Sequence, residues 1–253
     1  MTGRFLFYRM CKEQNQVLNM KRYAGIIFDM DGLMIDSEPL QLKAVNEALK
    51  PLGIFVNETD FIDMVGKKSI ENFSWLKDKY GFAEPPESLE QKKNRAYLSI
   101  IQRELKPMPG LFQAIESCKR KGLELAIASS SVREDIDIVL KILGLANTFG
   151  VVASGDEVKK GKPDPEIFLK AAEKMEKDPS CLIVLEDTGF GVDAAKAAGM
   201  YCIAIPNGFT LHHDFSKADM VLNSLLDLNL DGTVNLAAEK AEDSGQWAVS
   251  SRQ

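Results

Sequence analysis

Short apolar runs, each bounded by polar residues and followed by an amphipathic helical pattern, dominate this chain. They are Gly25 to Phe28, Glu124 to Ala128, Gly150 to Ala153, Cys181 to Leu185, Cys202 to Ile205 and Met220 to Leu222. A short run that is apolar throughout suits a strand buried on both faces. Between the runs, Ile136, Val139, Leu140 and Leu143 recur at i, i+3, i+4, i+7, as do Ile167, Phe168, Ala171, Ala172 and Met175. Strand–helix alternation of this kind predicts an α/β fold with a doubly wound parallel sheet. Ligands on such a sheet bind outside the carboxyl ends of the strands.

The residues at those ends carry the chemistry. The first run passes straight into Asp29-Met30-Asp31-Gly32. Two carboxylates one residue apart suit a hard cation and acid/base chemistry; the competing reading is a strand running into a turn. The second run ends in Ser129-Ser130-Ser131. Hydroxyls and free N–H groups at a strand-to-helix junction hold phosphate oxygens, and one of these serines is an equally good helix N-cap. In Gly161-Lys162-Pro163-Asp164-Pro165, Asp164 is placed to cap a helix and Pro165 to start it. Lys162 offers a point charge for phosphate; its ordinary alternative is a surface lysine. The run Leu182 to Leu185 meets Glu186-Asp187-Thr188, and Gly189 and Gly191 lead into a helix from Val192 to Ala198 closed by Gly199.

In their order and spacing these segments resemble the haloacid dehalogenase superfamily of phosphotransferases, in the branch of β-phosphoglucomutase and small sugar-phosphate phosphatases. The resemblance runs from Lys21 to Leu230 and implies a Rossmann-like core with a small helical cap inserted after the first strand. It implies that Asp29 attacks phosphorus and that Asp31 is the general acid and base. It implies a Mg²⁺ ion on the Asp29 carboxylate, the Asp31 backbone carbonyl and Asp187, with Glu186 holding a metal-bound water. It further implies that Ser129, the Ser130 backbone and Lys162 hold the transferring phosphate.

The segment from Ser37 to Lys106 breaks the strand–helix rhythm, with helical patterning such as Leu42, Val45, Leu49 and Leu52 and then a Pro107-Met108-Pro109-Gly110 break. The expected division is 1–20 as an extension, 21–36 and 107–230 as the α/β core, 37–106 as the helical cap and 231–253 as a loose tail. Residues 1–19 carry no core pattern and are expected to be dispensable, with Met20 an alternative start.

Apolar content of 45%, charged content of 27% and a net charge of −6 are those of a globular protein without a basic stripe, so nucleic acid is not the expected partner. An anionic substrate stays open, because Lys162 and a bound cation make a locally positive field. No apolar run reaches membrane-spanning length. Cys11, Cys118, Cys181 and Cys202 lack metal-ligand spacing, and two of them fall in expected core strands, as reduced thiols of a cytoplasmic protein do. The expected partner is a small phosphorylated substrate, bound by a monomer with no membrane contact. His212 and His213 are read as a surface loop.

Three reactions compete. Against the family's metal-free dehalogenases, the Asp29/Asp31 pair argues for phosphate chemistry. Phosphonate hydrolysis would rest on a cap lysine such as Lys67. A phosphosugar mutase of the β-phosphoglucomutase type would place a His where this chain has Gln41, and an Arg in the cap loop Gly66-Lys67-Lys68-Ser69. Lys93-Asn94 resembles a substrate-contacting pair of the mutases, although its helix also reads as a solvated face. A non-catalytic binding protein would be expected to lose a motif residue, and none is lost. A Mg²⁺-dependent phosphatase acting through an aspartyl-phosphate is the reading these residues favour.

Overall fold

The computed structural model describes residues 23–67 and 69–230. The expectations for the N-terminal extension, the C-terminal tail and Cys11 lie outside those residues. Strands β1 (Gly25–Phe28), β2 (Glu124–Ala128), β3 (Val151–Ala153), β4 (Leu182–Glu186), β5 (Tyr201–Ala204) and β6 (Met220–Val221) form one sheet in the order β3-β2-β1-β4-β5-β6. Every pairing is parallel.

Helices α1 (Glu38–Leu49), α2 (Glu58–Ile62), α3 (Ser69–Tyr80) and α4 (Pro86–Glu104) come between β1 and β2, followed by α5 (Leu111–Arg120). Later come α6 (Arg133–Ile142), α7 (Glu166–Met175) and α8 (Gly189–Ala197). Alternate strand residues point to opposite faces of the sheet. Ile26, Phe28, Leu125, Ile127, Ile183 and Leu185 therefore pack with Leu111, Ile115, Ile136 and Val139 on one side. Ile27, Ala126, Ala128, Val184 and Cys202 pack with Phe168, Ala171, Val192 and Ala195 on the other. Each fully buried Ile, Leu or Phe adds about 1.5–3 kcal/mol.

A third apolar cluster lies within α1 to α4, built on Val45, Leu49, Phe61, Phe73, Leu76 and Leu89. The chain enters and leaves this helical layer side by side. Ile35 bridges Pro107, Asp36 N–H donates to Lys106 O at 3.0 Å, and Met108 N–H donates to Met34 O at 2.9 Å. Such a paired crossing fixes where the layer sits over the strand ends.

Some local expectations change. Cys181 lies in a 3₁₀ turn and is only half-buried, whereas Cys118 and Cys202 are buried. Glu186 belongs to β4 itself, opposite Ala204 of β5, because its carboxylate finds partners inside the protein. No serine caps α6; the Asp156 carboxylate accepts from Arg133 N–H at 3.0 Å instead. Among the described residues no helix is long and apolar enough to cross a membrane.

Candidate active site

Strand order reverses at β1, whose neighbours are β2 and β4, so the crevice at its carboxyl end is the expected ligand position. Phe28 lies opposite Ile127 of β2 and Leu185 of β4, which brings Asp29 level with Ala128 and Glu186 and next to Ser129. Asp29 N–H donates to Leu185 O at 3.0 Å, so the ladder holds the backbone of this aspartate.

Gly32 turns the chain just beyond. Its φ is +80°, and a Cβ there would stand 2.3 Å from Asp187 Oδ2 and 2.8 Å from Asn207 Nδ2. Gly32→Ala is therefore expected to lose about 1–3 kcal/mol of stability through backbone strain. It is also expected to lose most activity by displacing Asp187. Urea denaturation beside turnover checks this, and a fully active, equally stable variant would contradict it.

Lys162 reaches the site from the loop before α7. Its Nζ pairs with Asp29 Oδ1 and lies 2.5 Å from Glu186 Oε1, with all three side chains at most 9% exposed. Glu186 Oε2 accepts from Asp187 N–H and Thr188 N–H at 2.9 Å each and from Thr188 Oγ1 at 3.0 Å. Gly191 makes room for that carboxylate, since a Cβ there would meet Glu186 Cδ at 1.9 Å. Both Glu186 oxygens are thus engaged by the protein. Glu186 thereby anchors Lys162 and the start of α8.

Asp187 Oδ2 accepts from Asn207 Nδ2 at 2.8 Å, and the same amide donates to Gly32 O at 3.1 Å. Asp187 Oδ1 is buried with no hydrogen-bond partner. Burial pushes the Asp187 carboxyl well above the usual range, and the Glu186 and Asp29 carboxylates add to it. Burial likewise raises Asp29, against the attraction of Lys162. Burial opposes the Lys162 charge, yet Asp29 and Glu186 outweigh it and hold the ammonium above the usual lysine value.

One lysine among three buried carboxylates leaves an excess of negative charge and one orphaned oxygen. A hard divalent cation fits that donor chemistry. Among the described residues no three His, Cys, Asp or Glu side chains gather into a metal set. The fit rests on two carboxylates, Asp29 and Asp187, with the Asp31 backbone carbonyl.

Ser129 is buried, and its Oγ accepts from Ser131 N–H at 3.1 Å, whereas Ser130 is exposed. Asp31 is held on both oxygens, Oδ2 by Ser131 Oγ at 2.8 Å and Oδ1 by Tyr97 OH of α4 at 3.3 Å. Of the candidates in the helical layer, Gln41 keeps a buried Oε1 without a partner, as does Oγ of neighbouring Ser37.

Lys93 does not point to solvent, as its polar neighbours suggest. Its Nζ stands 5.3 Å from the centre of the Tyr97 ring. Burial lowers its pKa while Asp31, Glu90, Glu38 and Asp135 oppose the shift. Lys92, one position earlier, takes the outward role and pairs with Glu84 at 2.6 Å. Burial, then the Asp31 charge, push Glu38 up to about 7, against Lys93. Lys67 is exposed and lines a cleft of about 210 Å³ with Asp63, Met64, Glu71, Asn72 and Trp75.

His213 departs from the surface-loop expectation. It is half-buried, accepts from Gly189 N–H at Nδ1 (3.2 Å) and packs edge-on to Phe190. Burial lowers its pKa, which favours the neutral acceptor form. Sequence reasoning assigns no role to Tyr97 or Asn207, and Ser131 enters it only within the Ser129-Ser130-Ser131 run, as a phosphate-holding hydroxyl or a helix N-cap.

A family model described as haloacid dehalogenase-like hydrolase matches residues 26–205. The chain is 33% identical over 209 residues to the bifunctional riboflavin kinase/FMN phosphatase of Arabidopsis thaliana, covering 81% of this chain and 54% of that protein. It therefore spans about half the length of that relative. It is 32% identical over 212 residues to hexitol phosphatase B of Escherichia coli K12, covering 82% of this chain and 95% of that one. The crystal structure of β-phosphoglucomutase from Clostridium difficile superimposes with a TM-score of 0.69 at 26% identity, over 82% of this chain and 93% of that one. With the site geometry, the match of the family model over residues 26–205 means that the chain belongs to the haloacid dehalogenase-like hydrolases.

Proposed function

We propose that this chain is a Mg²⁺-dependent phosphatase of a small phosphorylated metabolite, a sugar phosphate or similar, acting through an aspartyl-phosphate on Asp29. The observation that carries the reading is Lys162 seated against Asp29 across 133 residues of sequence, in a crevice with Ser129 and Asp187. Phosphoryl transfer asks the protein for an in-line nucleophile, charge neutralisation and a proton for the leaving oxygen.

Asp29 attacks phosphorus; the new bond is to its carboxylate oxygen, and the bond to the substrate's alkoxide oxygen breaks. Asp31 gives that oxygen its proton, so a neutral alcohol departs. Asp31, now a carboxylate, takes a proton from water attacking the phosphorylated Asp29, and inorganic phosphate leaves. Ser129 and the Ser130 backbone hold phosphoryl oxygens, and Lys162 balances the charge gathered there. Asp29, the Asp31 carbonyl and Asp187 would hold Mg²⁺, which when bound supplies positive charge to the phosphoryl oxygens. In this reading α1 to α4 act as the cap, and Gln41 and Lys93 face the substrate.

A phosphate-release screen tests the proposal. It would cover sugar and sugar-alcohol phosphates, glycerol phosphate, phosphoglycolate, nucleotides and FMN. Expected is release from a restricted group of these, lost with chelator and restored by Mg²⁺. Asp187→Ala should fold and lose about 100-fold or more, as removal of a metal-holding group does. Turnover unaffected by chelator would overturn the assigned metal site.

The likeness to a β-phosphoglucomutase structure favours a second reading, in which the phosphoryl group passes to a sugar rather than to water. Incubation with β-glucose 1-phosphate and its bisphosphate separates the two: inorganic phosphate marks the phosphatase, glucose 6-phosphate the mutase.

A further inference from the structure

Asp31 is tethered from two sides of the crevice. Ser131 Oγ, on the core side, donates to Oδ2 at 2.8 Å, and Tyr97 OH, from the helical layer, donates to Oδ1 at 3.3 Å. A carboxylate bonded at one oxygen still rotates about its terminal torsion, which is broad and soft. Bonded at both, it presents one edge in one direction. We infer that Tyr97 is a positioning residue: its hydroxyl fixes the aim of Asp31 when the helical layer lies against the core. The inference rests on the proposed role of Asp31 as proton donor.

The hydroxyl is unnecessary for packing. The Tyr97 ring belongs to the apolar cluster on the sheet's face and is 6% exposed, a position that phenylalanine would fill equally well. A buried hydroxyl there needs a partner, and Asp31 is 66 residues away in sequence. Lys93 precedes Tyr97 by one helical turn and stands 5.3 Å from its ring centre, so the cation steadies the ring from the α4 side. The Tyr97–Asp31 bond spans the layers. Lifting α4 would release Oδ1 while Ser131 kept Oδ2. Proton delivery would then be tied to closure, and an open site would hold an acid free to swing.

Tyr97→Phe removes only the hydroxyl. Phosphorylation of Asp29 is measured in single turnover with phenyl phosphate and with p-nitrophenyl phosphate. The two have similar shapes, but phenolate depends more on protonation than p-nitrophenolate does. Expected is a loss of about tenfold in the maximal rate with phenyl phosphate, comparable to losing a hydrogen bond to a charged group. With p-nitrophenyl phosphate the loss should stay within about twofold, and half-saturation should barely move for either.

Asp31→Asn and the double variant complete the cycle. If Tyr97 acts through Asp31, the tyrosine change costs almost nothing further in the Asp31→Asn background. Selective loss in both single variants without additivity supports the proposal. Selective loss in Asp31→Asn, with Tyr97→Phe neutral, unselective or additive, overturns the proposal and leaves the phosphatase reading standing. Unselective loss in Asp31→Asn overturns the acid role itself, and the positioning role with it.

Discussion

Asp29→Asn is expected to abolish turnover, by about 10,000-fold or more, as loss of a nucleophile does. The carboxamide keeps the shape of the side chain but cannot form an acyl phosphate under these conditions. Fold should not suffer. Burial holds the Asp29 carboxyl well above its ordinary value of 3.8, so the carboxylate is an unfavourable group in this position. The sign of its pH dependence follows. Above the ordinary value and below the raised one, the folded state binds more protons than the unfolded state, so this group's contribution falls as pH rises. The Asn variant should therefore gain thermal stability relative to wild type between about pH 4 and the raised value, with chelator present. Turnover above a hundredth of wild type would remove Asp29 from the nucleophile's place.

Lys162→Met is expected to have the largest effect on stability. The substitution keeps much of the aliphatic stem but removes the ammonium, which lies 5.0 Å from the Phe168 ring centre. It removes the cation that Asp29 and Glu186 share. Breaking a buried pair by deleting one partner costs about 3–5 kcal/mol, because the other charge stays buried. Activity should fall by about 100- to 1,000-fold, comparable to losing one group aimed at developing charge. The destabilisation should be greatest at alkaline pH and shrink as pH falls, since the carboxyls of Asp29 and Asp187 are already displaced toward protonation. Urea denaturation at about pH 5 and about pH 8 reads this directly. Equal stability of variant and wild type at both would show that the lysine is not needed to balance the buried acids.

Strands were legible because both faces of the sheet are covered, which forces unbroken apolar runs; β1 and β2 begin and end where their sequences say. The site was legible for a related reason. Polar residues at the end of such a run have no packing role, so Asp29, Ser129 and Asp187 stand out against their neighbours.

Contacts between distant elements were not legible. Asn207 joins Asp187 to Gly32 across 175 residues, and nothing local distinguishes it from a turn asparagine. Tyr97 sits at an apolar position of α4 and reads as core, which its ring is. Only the fold gives its hydroxyl a partner. Lys92 and Lys93 differ by about 100° around a helix, so one meets Glu84 and the other lies over the Tyr97 ring. Composition alone cannot say which. His213 looked like loop and became an acceptor at the start of α8, because the chain from Asn207 onward folds back over Gly189.

The most direct measurement is capture of the covalent intermediate. Protein mixed with a turned-over substrate and Mg²⁺ is quenched in acid within the first turnover, reduced with borohydride and mapped by peptide mass spectrometry. The expected result is a phosphoryl-dependent modification confined to the peptide bearing Asp29, at the aspartate itself, and absent from Asp29→Asn. A first turnover that releases product with no modified peptide, or with the modification on Asp31, Asp187 or a serine, would contradict it.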